Sequence, residues 1–263
     1  MKSVFSVSVF VVLFIGNLAA EWSYFELDKW PDICKTGQRQ SPIKLRRLLS
    51  RKTPIPALEF NDYKIAYRAS LENNGQTVEA RIMDNDAIPT LSGGNLGGEY
   101  TLDNVHFHWD SEHTINDKRF AVEAHLVHYK TEYGNVTIAS NYTDGIVVLG
   151  VMFEEVLFNN KKLDKIIDAT KIVAPQVDLV TQIKSLVIED FLPKDRMSFY
   201  KYEGSLTTPG CNEVVTWIVF DKQLSIGRTQ LKEFPKVVTS TGEKLTKNYR
   251  PLQNLNGRVV LHT

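Results

Sequence analysis

Thiols are nearly absent from this chain: among its 263 residues only Cys34 and Cys211 occur. No Cys-x-x-Cys pair is present to compete for a metal. Charge of one sign is equally lacking, because 31 Lys and Arg residues balance 31 Asp and Glu residues. A neutral chain has no long-range field that gathers nucleic acid or an anionic membrane, so neither is expected as a partner and a small or uncharged substrate is. The apolar run from Val4 to Ile15 is too short to span a bilayer comfortably. The closing segment, Asn256 to Thr263, has no apolar tail of the kind that precedes a lipid anchor, so no membrane anchor is expected. Internal repeats, low-complexity tracts and Gly/Ser linkers are missing too, which argues for one domain over residues 21–263.

What is present begins with a leader. Met1-Lys2-Ser3, the apolar run and the small residues Gly16 to Ala20 describe a secretory signal peptide over residues 1–20, cleaved after Ala20. The expected location is therefore extracellular. Secretion gives the two cysteines a meaning, since an even pair in an oxidising route is by default a disulfide, here Cys34 with Cys211. Closing so long a loop removes roughly 5 kcal/mol of chain entropy from the unfolded state in the simple model. Two acceptor sequons, Asn135-Val136-Thr137 and Asn141-Tyr142-Thr143, sit in a polar stretch, as expected for a glycoprotein's surface loop. With 43% hydrophobic and 24% charged residues the chain can bury one sizeable core.

Short strand-like runs dominate: Ala57 to Phe60, Lys64 to Tyr67, Val78 to Met83, Leu102 to Trp109, Ala121 to Tyr129, Ile146 to Phe153 and Val214 to Phe220. Turn clusters at Glu72-Asn73-Asn74-Gly75 and Ser92-Gly93-Gly94-Asn95 separate them. Leu163, Ile166, Ile167 and Thr170 have helical spacing, and a shorter turn from Arg228 to Phe234 is stopped by Pro235. The fold class is mainly β (α+β), with short helices on the margin of a sheet.

Of six histidines, five fall between His106 and His128. In Asn104-Val105-His106-Phe107-His108-Trp109, strand alternation points His106 and His108 to one face and Val105, Phe107 and Trp109 to the other. If His125 comes from a neighbouring strand, on the face it shares with Glu123 and Val127, three imidazoles converge. That leaves a fourth tetrahedral position open, the design of a catalytic rather than a structural zinc site.

The ordered motifs resemble those of the α-class carbonic anhydrases over nearly the whole mature chain. They are Gln40-Ser41-Pro42, Asn73-Asn74-Gly75, the histidine segment, Ser111-Glu112-His113-Thr114, Glu123 to His128, Gly204 to Pro209, Val215-Thr216-Trp217 and Asn248-Tyr249-Arg250-Pro251. The resemblance implies a large twisted, predominantly antiparallel central sheet. It implies Zn2+ held by His106, His108 and His125, and the reversible hydration of carbon dioxide by a zinc-bound hydroxide to bicarbonate and a proton. Sulfonamides are the implied inhibitors, and a monomer is expected. Thr207 and Glu112 match the family's gate, in which a hydroxyl that donates to a buried carboxylate must accept from the hydroxide and so orients it. Asn104, Glu123 and a backbone carbonyl near Asn248 are the expected acceptors for the second nitrogens of the three ligands. Val127, Val148, Leu206, Thr208, Val215 and Trp217 match the substrate pocket, a dry wall suited to an apolar molecule. His113 and His128 read as buried structural histidines, and His262 lies beside the C-terminus.

The chain also departs from the pattern. In fast relatives the residue after Asn-Asn-Gly is a histidine that carries the product proton to buffer, whereas here it is Gln76, an amide that cannot titrate near neutrality. Tyr24, matching a tyrosine that orders cavity water, and Glu79 have no ordinary pKa near 7. Trp109 is followed by Asp110 instead of glycine in a short loop expected at the cavity mouth. Two other readings remain open: a catalytically weak or silent extracellular binding module, disfavoured by the intact ligand set, and a matrix scaffold, disfavoured by the absence of an acidic or Gly/Asn-rich tract. A weak esterase activity could accompany the hydration reaction. Turnover is expected roughly 10²-fold below the fast type, and Gln76→His should raise it in dilute buffer. Stopped-flow hydration checks this, and turnover insensitive both to the substitution and to added imidazole would refute it.

Overall fold

The computed structural model describes residues 22–84 and 87–263; the signal peptide expected over residues 1–20 lies outside these, as does Glu21. Among the described residues thirteen strands join one sheet. Its backbone consists of β1 (Arg51–Lys52), β2 (Ala66–Asn73), β3 (Val78–Ile82), β4 (Tyr100–His108), β5 (Val122–Lys130), β6 (Ile146–Val156), β7 (Val180–Val187), β8 (Phe199–Gly204), β9 (Val215–Phe220) and β10 (Leu261–His262). They lie in the order β7-β2-β3-β4-β5-β6-β9-β8-β10-β1, and three shorter strands attach beside β4 and β6. Pairing from β7 through β6 is antiparallel throughout. Parallel pairs occur where β6 meets β9 and Leu224–Gly227, and where β10 meets β1. The expected fold class and the predominantly antiparallel sheet are thus what the structure shows.

The two faces of the central strands are chemically different because alternation separates them. Val105 and Phe107 of β4, Ala124 and Leu126 of β5 and Val147, Leu149 and Val151 of β6 enter one buried apolar cluster. The helix α1 (Asp164–Val173) covers that face with Ile166, Ile167, Ala169 and Val173. Phe107 lies between the rings of Phe191 and Phe234, with centroids 5.8 and 5.5 Å away, and burying such a ring contributes about 2–3 kcal/mol. The opposite face carries Val127, Val148 and Trp217 in a second cluster, and it is this face that opens onto the histidines.

Several boundaries differ from the sequence reading. Asn73 ends β2, and Ser92 and Gly93 end the strand Thr90–Gly93, so the tight turns begin one or more residues later than expected. Leu163 closes a 3-10 turn ahead of α1. The turn at Arg228 is a helix that stops at Leu231, and Pro235 sits inside a following 3-10 turn, where a missing N–H costs nothing. The edge strand β7 and the inner strand β8 escaped notice. β7 buries only Ile183 and Leu186, which straddle a register shift that breaks strict alternation.

The Cys34–Cys211 disulfide forms as expected, with the Cα atoms 5.2 Å apart across 177 residues of sequence. His128 faces the helix side of the sheet, fully buried, and its Nε2 meets the Tyr63 hydroxyl at 2.5 Å. Burial pushes its pKa down from 6.5 to about 3. Between those values the unfolded chain binds a proton that the folded chain does not, so stability falls as pH drops below about 6.5. The expected slope from this residue is about 1 kcal/mol per pH unit between pH 6 and 4. Urea titrations across that range check it: His128→Gln, which keeps a partner for Tyr63, should flatten the slope.

Candidate metal centre

Sheet register builds the site. His106 of β4 pairs with His125 of β5 and His108 pairs with Glu123. The row through His106 continues to Glu79 of β3 on one side, and through His125 to Gly150 of β6 on the other. One ligand atom from each of His106, His108 and His125 lies within 4.8 Å of the other two. Imidazole rings in such contact would repel if charged, and burial lowers the pKa of both His106 and His108, with the neighbouring rings adding to the effect. Neutral rings expose the lone pairs a metal needs.

The second nitrogen of each ring has a fixed partner. His106 Nδ1 meets Asn104 Oδ1 at 2.8 Å, and His108 Nδ1 donates to the Asn248 carbonyl at 2.6 Å. His125 Nε2 donates to Glu123 Oε1 at 2.9 Å. That arrangement turns Nε2 of the first two rings and Nδ1 of the third toward the common point. His108 Nε2 is buried with no hydrogen-bond partner, an expensive state for a polar atom and one that a cation would relieve. The donor set, three imidazoles, fits Zn2+. A second cluster, His113, Glu123 and His125, also brings its ligand atoms within 4.8 Å of one another. Its nitrogens are already engaged, so we assign it to support.

That support is a continuous relay. Burial alone would push the Glu123 carboxyl up, but the imidazoles of His113 and His125 hold it well below the usual range. Glu123 accepts from the His113 backbone N–H at 2.8 Å and from its Nδ1 at 2.7 Å. His113 Nε2 therefore accepts from the Tyr202 hydroxyl at 2.6 Å, which in turn accepts from Ser41 Oγ at 2.9 Å. The relay uses Ser41 of the Gln40-Ser41-Pro42 motif, and it requires close approach at two glycines. A Cβ on Gly204 would stand 2.2 Å from Ser41 Oγ, and one on Gly150 would stand 3.0 Å from Glu123 Oε1.

The histidines form the floor of a cavity of about 350 Å³. Val127, Val148, Leu206 and Trp217 make one wall, Thr207 and Thr208 lie beside them, and Trp22, Tyr24, Gln76 and Glu79 lie toward the other side. Val215 is buried on the same sheet face as Trp217, two residues along the strand, but is not among the residues that line the cavity. Nor do residues 109–111 reach it, because β4 ends at His108 and the Trp109 ring stacks on Phe234 on the helix-covered side. Glu112 is fully buried, with Oε1 accepting from the Arg250 backbone N–H at 2.8 Å and Oε2 unpartnered, so the Thr207 hydroxyl does not reach it here. Burial, with the Glu112 charge nearby, raises the Tyr24 phenol well above 10. His262 is buried against Tyr200, away from the cavity. Among the described residues, the cavity lining contains no imidazole beyond the three convergent ones.

Sequence reasoning missed Gly150, Arg81 and Asp103. Arg81 shares its face with Glu79 and was open to discovery by parity. Asp103 was not, since strict alternation places it opposite Asn104. Both sequon asparagines are exposed; Asn135 caps a helical turn by accepting from Ile138 N–H, and Asn141 Nδ2 donates to the Thr137 and Ile138 carbonyls.

Comparison with known proteins gives a consistent picture. The model of the eukaryotic-type carbonic anhydrase family matches residues 20–263. "Putative carbonic anhydrase 3" of Caenorhabditis elegans is 32% identical over 262 residues, covering 93% of this chain and 98% of that protein. "Carbonic anhydrase 6" of Bos taurus is 32% identical over 97% of this chain and 84% of its own length. "Carbonic anhydrase 7" of Mus musculus is 35% identical over 85% and 88% respectively.

Gly150→Ala tests the support. Glu123 is pinned on three sides and cannot retreat, so the substitution is expected to cost about 1–3 kcal/mol and to weaken metal retention. Denaturant titration and metal analysis after dialysis check both effects.

Proposed function

The chain belongs to the eukaryotic-type carbonic anhydrase family, and from that premise we propose that it is a secreted zinc enzyme interconverting carbon dioxide and bicarbonate. The observation that carries this reading is the convergence of three partnered imidazoles, one with an orphaned Nε2, on the floor of a half-apolar cavity. Zn2+ bound there supplies a strongly acidified water and hence a nucleophile at neutral pH; the pKa of about 7 that this takes in carbonic anhydrases is a property of the class, not a value derived from this site.

The chain's own residues do the rest. Val127, Val148, Leu206 and Trp217 offer an uncharged, linear substrate a wall that water does not favour. Thr207 orients the nucleophile once its hydroxyl donates to Glu112 Oε2, the buried acceptor that has no other partner. Thr208 borders the same space. Proton export is the weak step: Gln76 cannot ionise near neutrality, and Tyr24 gives up its proton only far above it. The leader, the disulfide and the exposed sequons support an extracellular glycoprotein, with Asn135 and Asn141 as the attachment points.

Metal analysis paired with stopped-flow hydration of the mature protein, with and without a sulfonamide, tests the reading. About one zinc per chain and sulfonamide-sensitive hydration are expected. Thr207→Val and Glu112→Gln should each lower kcat/KM about 10²-fold while zinc stays bound. A metal-free wild-type protein without hydration activity would refute the reading.

A further inference from the structure

One wall of the cavity carries an ion cluster that the proposed chemistry leaves unused. Arg81 Nε donates to Glu79 Oε1 at 2.7 Å, and its Nη1 donates to Asp103 Oδ2 at 2.6 Å. The same Asp103 oxygen accepts from Asn104 Nδ2 at 2.8 Å, and Asn104 Oδ1 lies 2.8 Å from His106 Nδ1. All five residues line the cavity.

Two features separate this chain of contacts from an ordinary surface ion pair. The first is the backbone. The register of β4 against β5 shifts between Leu102 and Asn104, so Asp103 is an extra residue in the strand. Such a bulge re-aims side chains, and here it brings consecutive residues, Asp103 and Asn104, to one cavity where alternation would have parted them. The second is direction. An amide can present either its oxygen or its nitrogen to a neighbour, and a histidine can carry its proton on either ring nitrogen. A carboxylate oxygen only accepts. With Asp103 Oδ2 on one side, Asn104 must turn Nδ2 toward it and Oδ1 toward His106, which must then present Nδ1–H and keep Nε2 bare. Arg81, anchored by Glu79, holds the Asp103 carboxylate in the orientation that enforces this.

We propose that Asp103 and Arg81 are positioning residues for His106, selecting through the Asn104 amide the tautomer whose Nε2 can take a metal. The inference rests on the reading of His106 as a ligand. Groups that orient ligands in this way typically change metal retention by 10- to 100-fold when lost, and one step further from the metal the low end applies.

Two measurements on the mature full-length chain test it: zinc release from the loaded protein into excess chelator, and the His106 tautomer from long-range 1H–15N spectra after metal removal. Asp103→Ala should speed release about tenfold and populate Nε2–H at His106. Asp103→Glu, which keeps an accepting carboxylate, should restore most of both. Arg81→Gln, which leaves the bulged strand intact, should shift both in the same direction by less. A folded Asp103→Ala protein with wild-type release and a wild-type tautomer would overturn the proposal. Should that variant not fold, unchanged values in Arg81→Gln would overturn it equally. If the wild type takes up no zinc, the enzymatic reading fails, while the tautomer spectra still decide this one.

Discussion

Pairing register is the constraint on which the rest of the site depends. His106 and His125 face each other across β4 and β5, with Glu79 and Gly150 flanking them in the same row. A slip of one residue would turn one partner toward α1 and leave a buried imidazole among Phe107, Phe191 and Phe234. The apolar half of each strand therefore specifies the position of the polar half. Val105 and Phe107 are part of the candidate metal centre in this sense, although they point to the opposite face.

A dry sheet tolerates so many polar groups only if they satisfy one another. Glu123 achieves this by accepting from three N–H groups at once, and its relay runs outward through His113 and Tyr202 to Ser41. Two atoms break the rule inside the site, His108 Nε2 and Glu112 Oε2. One faces the point where the imidazoles converge, and the other is the acceptor assigned above to Thr207. Buried unpartnered atoms occur elsewhere too, at Thr114 Oγ1, His128 Nδ1, Tyr200 OH and His262 Nε2, but these two are the ones placed where chemistry is proposed.

The sequence disclosed the parts that follow simple periodicity. Strand alternation around His106 and His108 was legible, as were the central strands and the helical spacing at Ile166 and Ile167, because long regular runs leave little freedom. What escaped was whatever depends on irregularity or on empty space. Asp103 joins the cavity through a bulge, and a bulge has no signature in one sequence. Gly150 matters for the Cβ it lacks. Val215 was grouped with the wall because its motif is contiguous with Trp217; it shares that face but is not among the residues that line the cavity. The loop at Asp110 was expected at the mouth, but β4 ends at His108 and Trp109 packs toward the helix-covered side.

The position of the disulfide has a consequence of a different kind. Cys211 N–H bonds the Thr208 carbonyl at 2.9 Å, and the Leu206 N–H bonds the Asn212 carbonyl at 3.0 Å. The bridge to Cys34 thereby ties the Thr207 segment to the N-terminal region that carries Trp22 and Tyr24. The three histidines, by contrast, are held by strand pairing and by their own hydrogen bonds to Asn104, the Asn248 carbonyl and Glu123, none of which involves the bridge. The histidine cluster and the Thr207 segment accordingly have separate mechanical supports, one from sheet pairing and the other from the disulfide. Opening the bridge would therefore loosen the tie between the Thr207 segment and the N-terminal residues while leaving the register of His106 against His125 untouched.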